Sequence, residues 1–159
     1  MKVVRHTRET MKILIVDAGN YCRSPAAECV LKAMIAASDR AMTLHVGSAG
    51  LKDKHAGDGA DPRSIAACAA RGYDLTAHRC REITTQDFHE CALILAMDRD
   101  NLAQLQRRRP AESVARLELY LGDTEVPDPY DGGESAFVEM MEQIENGARG
   151  LIQDLRAAR

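Results

Sequence analysis

Four consecutive apolar residues, Ile13-Leu14-Ile15-Val16, stand directly before a polar turn, Asp17 to Ser24, and a helix-opening proline, Pro25. A strand that is apolar without alternation needs cover on both faces. That requirement points to the interior of a parallel sheet wrapped by helices. Ser24 is placed to cap the following helix, with Pro25 at its first position and the helix running to about Ala36. The opening of the chain therefore reads as one strand–turn–helix unit.

The rest repeats the alternation. Leu44-His45-Val46 reads as a second strand, and Ser48 to Gly59, rich in Gly and Asp, as a loop. Pro62 to Arg71 forms a helix stopped by Gly72. Ala92 to Met97 is a third strand, and Arg99 to Gln106 a short helix ended before Pro110. Arg116 to Tyr120 is a fourth strand. Asp123 to Gly133 is a loop holding Pro127 and Pro129. Ser135 to about Ala157 is a long helix with Phe137, Met140, Met141, Ile144, Leu151 and Leu155 on one stripe. The expected class is α/β: a single domain with a four-stranded parallel sheet flanked by helices, in flavodoxin-like winding. Residues 1–10 are polar and are expected to be a flexible extension, which leaves 11–159 as the domain. In such sheets ligands bind beyond the carboxyl ends of the strands, where the winding reverses. The turn after the first strand lies there.

Composition removes several function classes. The 159 residues carry a net charge of −3 with both signs mixed, so there is no basic field for nucleic acid and no polybasic membrane patch. No apolar run reaches the length of a spanning helix, and the start lacks a secretory signal, so a cytoplasmic location is expected. The five cysteines are odd in number and scattered, and no His or Cys pair has metal-ligand spacing. No metal or cofactor is expected.

The turn itself has the parts of an anion cradle. Glycine suits a backbone that must take positive φ. The N-terminus of a helix offers unpaired N–H groups and a favourable dipole. Arginine offers a planar fork to two oxygens. Gly19, Asn20, Arg23, Ser24 and Pro25 supply these in order.

The run Val16 to Pro25 resembles the signature of the low-molecular-weight protein tyrosine phosphatases, in which a cysteine begins a C-x5-R-S loop. The resemblance extends over almost everything from Met11. Ser48-Ala49-Gly50 with His55, Asp61 and Arg63, then Asp74-Leu75 with His78-Arg79, then Ala96-Met97-Asp98, then Val126 to Tyr130 all resemble family blocks in the family's order. The resemblance implies a phosphate-binding loop of Ala18, Gly19, Asn20, Tyr21, Cys22, Arg23 and Ser24. It implies Arg23 on the equatorial oxygens and Asp128 as general acid. It makes Ser24 the hydroxyl that stabilises the nucleophile, and Asn20 the prop of the loop. Asp17 stands at the nucleophile's position, where the family has cysteine. Cys22 matches a second loop cysteine and adjoins Arg23, so it does not take the nucleophile's place. The implied partner is a phosphorylated protein or a small phosphomonoester, with phosphate or another oxyanion in the loop. An arsenate reductase of the same fold is disfavoured, because it also needs the loop-starting cysteine.

Three accounts of Asp17 stay open on the residues alone. Its carboxylate folds into the cradle and is inert, or it accepts a phosphoryl group as an acyl phosphate, or it is a deliberate replacement that silences the enzyme. A binding or regulatory role for the same loop is the companion of the first account. The cleft wall is also altered. In relatives an aromatic precedes the histidine matched by His55, and here the residue is Lys54. A second aromatic often follows the Asp-Pro-Tyr triplet, and here it is Asp131. That leaves Tyr130 to stack on a ring. A solvated charge is the plainer expectation for Lys54. If it faces the cleft, it favours a more anionic ligand.

Overall fold

The computed structural model describes residues 10–38 and 43–157. The predicted extension falls, but for Thr10, outside them. The elements run β1 (Met11–Asp17), α1 (Arg23–Ala37), β2 (Leu44–Gly50), α2 (Pro62–Ala69), α3 (Thr85–Glu90), β3 (Leu93–Ala96), α4 (Arg99–Arg108), β4 (Arg116–Leu119) and α5 (Glu134–Ala157). The four strands form one sheet in the order β2-β1-β3-β4, with every pairing parallel. The expected class and strand number hold.

The apolar run explains why β1 is central. Successive side chains of a strand point to opposite faces. Ile13 and Ile15 join a core with α1, α2 and α5, through Val30, Leu31, Cys68, Phe137, Met141 and Ile144. Leu14 and Val16 join a second core on the other face, with Phe88, Ile94 and Leu105. All four strand residues are buried. On α5 the stripe runs through Phe137, Met140, Met141, Ile144, Ala148 and Ile152, while Leu151 and Leu155 are half-buried.

Two local readings are corrected. β2 is longer than expected, because Ser48-Ala49-Gly50 pairs with Ile15-Val16-Asp17 instead of starting a loop. Its last residue must be glycine: a Cβ on Gly50 would stand 2.7 Å from the Gly19 carbonyl carbon and 2.8 Å from the Asn20 nitrogen. The helix α3 was not foreseen. Thr84 caps it through a reciprocal box with Asp87, on a six-residue segment too short to show an apolar stripe. Among the described residues no helix is long and apolar enough to cross a membrane.

Candidate functional site

β1 lies between β2 and β3, so the winding reverses at its carboxyl end. A cavity of about 210 Å³ opens there, lined by Asp17, Ala18, Gly19, Tyr21, Cys22, Arg23, Lys52, Lys54, His55, Asp128 and Tyr130. The structure thus brings together residues from three separate stretches of sequence. Asn20 and Ser24 lie beneath the cavity, fully buried. Asp131 is exposed and does not line it.

The floor is held by hydrogen bonds that the turn residues make to one another. Asp17 is 3% exposed, and its carboxylate faces into the turn. Its Oδ1 accepts from the Asn20 N–H at 2.6 Å and its Oδ2 from the Ser24 N–H at 2.9 Å. The helix α1 begins two residues earlier than expected. Cys22 occupies the cap position without a side-chain bond to the helix, and Asp17 supplies the oxygen that reaches the first turn. The Ser24 hydroxyl does not cap the helix. It accepts from Asn20 Nδ2 at 2.9 Å.

Asn20 is the hub of the turn. Its Nδ2 also donates to the Ser48 hydroxyl at 2.9 Å, and its Oδ1 accepts from the Arg81 N–H at 3.0 Å. Its carbonyl oxygen lies 2.9 Å from His78 Nε2. Positive φ falls on Asn20, at 58°, and not on Gly19. Asparagine tolerates that region because its short amide bonds locally. Gly19 is favoured for a different reason, since a Cβ there would crowd the His55 ring at 3.2 Å.

Arg23 is 2% exposed. One guanidinium nitrogen, Nη1, donates to Asp98 Oδ2 and to the Val126 carbonyl, both at 2.8 Å. Its Nη2 lies 3.9 Å from Asp128 Oδ2. Asp98 also caps α4 through the Asn101 N–H. Arg23 thus joins the turn, the end of β3 and the loop that carries Asp128. The side chain of Asp128 is half-exposed and faces the cavity.

Cys22 donates weakly to Asp61 Oδ2 at 3.6 Å. Burial pushes its thiol well above the usual value, and the charges of Asp61 and Asp17 push it further. A thiol held protonated in this way is a poor nucleophile. Asp61 caps α2 through the Arg63 N–H and takes a forked pair from the Arg63 guanidinium at 3.1 and 2.7 Å. Burial alone would raise the Asp61 pKa, and these Arg63 bonds bring it below the ordinary value. Arg63 continues across to the Tyr130 carbonyl at 2.9 Å, with its guanidinium over the Tyr130 ring.

The walls are aromatic and cationic. Tyr21 stacks on His55 with ring centroids 3.8 Å apart and planes 5° from parallel. Tyr130 leans toward Tyr21 at 6.3 Å. Lys54 faces the cleft, its ammonium 6.0 Å from the Tyr130 ring centre. Lys52 lines the same cavity and was not singled out from sequence. Its one available signal was its place two residues before Lys54. Among the described residues no three His, Cys, Asp or Glu side chains cluster as metal ligands would.

Comparisons with known proteins agree with this geometry. The profile described as Low molecular weight phosphotyrosine protein phosphatase matches residues 12–159. A low molecular weight protein-tyrosine-phosphatase of Streptomyces coelicolor is 36% identical, with 92% of this chain and 94% of that protein covered. Among solved structures, a protein tyrosine phosphatase from Entamoeba histolytica with Hepes in its active site superposes with a TM-score of 0.87. It is 35% identical and covers 93% of this chain and 98% of its own. A Drosophila arginine phosphatase superposes at 0.84 with 31% identity, over 91% of this chain and 98% of its own.

Proposed function

The chain belongs to the low molecular weight phosphotyrosine protein phosphatase family, and from that premise we propose that it binds phosphoryl groups without turning over aryl phosphates by a thiolate route. The observation that carries this reading is the double hydrogen bond of the Asp17 carboxylate to the Asn20 and Ser24 N–H groups. A carboxylate is a poor nucleophile in that setting, because both oxygens are directed to donors and their charge is offset. It also takes amides that an incoming oxyanion would use. The Cys22 thiol does not substitute for it, since burial and the neighbouring carboxylates push its pKa well above the usual value. Residues 11–159 constitute the phosphatase domain in this proposal, and 1–10 an appended segment. The ligand is a phosphorylated protein or a small phosphomonoester, met in the cytoplasm.

Arg23 and Asp128 keep the rest of a phosphatase arrangement, so restoring the thiol should restore chemistry. Hydrolysis of p-nitrophenyl phosphate is measured for the wild type, Asp17→Cys and Asp17→Asn. The wild type is expected at background, and Asp17→Cys at least about 10³-fold above it. A silent Asp17→Cys enzyme that folds normally would refute the proposal.

A second reading has one observation in its favour: Asp17 lines the cavity that Asp128 faces. A carboxylate oxygen would attack phosphorus, the P–O bond to the alcohol would break, and Asp128 would give its proton to the departing oxygen. Water would then hydrolyse the acyl phosphate. Wild-type hydrolysis that disappears in Asp17→Asn would establish this reading over the first.

A further inference from the structure

The cations of the cleft are engaged very unequally. At the floor, Arg23 meets the carboxylate of Asp98 at 2.8 Å and that of Asp128 at 3.9 Å, besides the Val126 carbonyl. The Asn20 and Ser24 amides are given to Asp17. At the rim, Lys52 and Lys54 line the same cavity, and among the described residues neither ammonium forms an ion pair or a hydrogen bond. Their backbone is anchored to the turn: the Leu51 N–H donates to the Asp17 carbonyl and the Lys52 N–H to the Ala18 carbonyl, both at 3.0 Å. Asp53, which separates them, is exposed and absent from the lining. Beside them stand the Tyr21–His55 stack and the Tyr130 ring.

We propose that the anion-binding centre of this cleft lies at its rim, where Lys52 and Lys54 hold the dianion of a phosphate monoester against the aromatic wall. The inference rests on the reading of the turn as a cradle occupied by Asp17. A lysine ammonium is a compact point charge with three donors, and two of them suit a doubly charged tetrahedral group. Both side chains are exposed, so the attraction is screened and the affinity is modest and salt-dependent. The aromatic wall offers a face to an aryl or alkyl body attached to the phosphate.

The test is a binding titration of the full chain by calorimetry, with inorganic phosphate, phenylphosphonate and a phosphotyrosine peptide as probes. Thermal melting checks that each variant is folded. For the double variant Lys52→Gln, Lys54→Gln, Kd is expected to rise at least about tenfold for any probe that binds the wild type. The double replacement by arginine should retain binding, as should Lys12→Gln, which lies away from the cleft. Raising salt to about 0.3 M should weaken binding severalfold. In Asp17→Ser the amides are released. Phosphate should then bind more tightly, with the lysine dependence reduced to less than about threefold. Tighter binding of the peptide than of phenylphosphonate, if it too falls in the glutamine variant, places the rim site on phosphorylated protein. Equal binding with the same fall places it on small esters. The proposal is overturned if the wild type binds no probe, if the glutamine variant binds like the wild type, or if Asp17→Ser binds phosphate no more tightly. These readings are independent of turnover. A silent Asp17→Cys enzyme would remove the proposed function while the lysine result stood, and the reverse outcome is equally visible.

Discussion

The floor and the rim of the cleft are built on opposite principles. Floor residues Asp17, Asn20, Arg23 and Ser24 are buried and make hydrogen bonds to partners drawn from distant stretches, Ser48, Arg81, Asp98 and Val126 among them. Rim residues Lys52, Lys54, Asp128 and Tyr130 are exposed. Buried polar groups are costly unless paired, so each floor residue is fixed by several others at once. Exposed groups carry no such constraint. The shape of the turn can therefore outlast a change in any one of its side chains. The rim is free to set which ligand approaches. Placing a thiol at position 17 with Asp17→Cys is the largest effect that this contrast and the proposed function imply, because it assumes that the floor's shape already suits the chemistry.

The next largest effect comes from cutting the hub of the floor. Asn20→Ala removes three side-chain hydrogen bonds, to Ser24, Ser48 and the Arg81 N–H. It also leaves a non-glycine residue at φ 58° without the amide that favours it. At about 1 kcal/mol for each bond and a similar amount for the backbone, the expected loss is about 3–4 kcal/mol. Urea unfolding would read it as a lower midpoint at unchanged slope. A loss below about 1 kcal/mol would show that the floor is not over-determined, and the contrast with the rim would fail.

A smaller effect tests how the rim is attached to the floor. Arg63 reaches from Asp61 to the Tyr130 and Gly132 carbonyls and covers the Tyr130 and Phe137 rings. It is the strap between the α2 cap and the loop of Asp128. Arg63→Met keeps apolar cover on those rings but gives up the donors. Hydrogen exchange at residues 130–133 should quicken severalfold, while amides of β1 and β3 stay protected. Equal acceleration in β1 would mean that the two regions open together.

The same contrast explains what could be read from the residues. Ile13 to Val16 announced a doubly covered strand because burial on both faces leaves no polar alternation to mislead. The turn was legible because its needs are backbone needs, met by Gly19, Asn20 and Arg23 in a fixed order. Details that depend on three-dimensional partners were not. Ser24 looked like a cap, yet a carboxylate seven residues earlier reaches the helix instead. Gly19 looked like the left-handed residue, yet Asn20 takes that φ and Gly19 serves the close approach of His55. Lys52 went unmarked because its spacing from Lys54 does not by itself say that a loop lysine lines the cleft. That is decided by backbone bonds to Asp17 and Ala18, which no local pattern encodes. The fold class and the place of the turn were thus written in local sequence, while the cleft's cation balance emerged only when distant stretches met.

The smallest effect concerns a clamp behind the floor, and its sign follows from a pKa. The Asp87 carboxylate takes a forked pair from Arg81, both bonds at 2.9 Å, and the Thr84 N–H at 2.8 Å. Arg81 in turn gives its own N–H to Asn20, so α3 steadies the turn from behind. Burial by itself would raise the Asp87 pKa, but the Arg81 bonds and the Thr84 N–H outweigh it and hold the carboxyl below its ordinary value. A depressed folded-state pKa contributes stability that is present above the unfolded value of about 3.9. That contribution is lost as pH falls through the folded value. Asp87→Asn retains an acceptor for the cap but not the charge facing Arg81. At neutral pH it should cost about 1 kcal/mol, the worth of a weakened cap. Below about pH 4 the gap to the wild type should narrow, because the wild type is losing what the variant never had. Asp61 and Asp74 are depressed as well, so the acid limb becomes shallower without vanishing. Urea midpoints taken from about pH 7 down to about pH 3 would show the convergence. Parallel limbs would mean that the charge of Asp87 does not steady the floor, and that the turn keeps its shape from Asn20 and Asp17 alone.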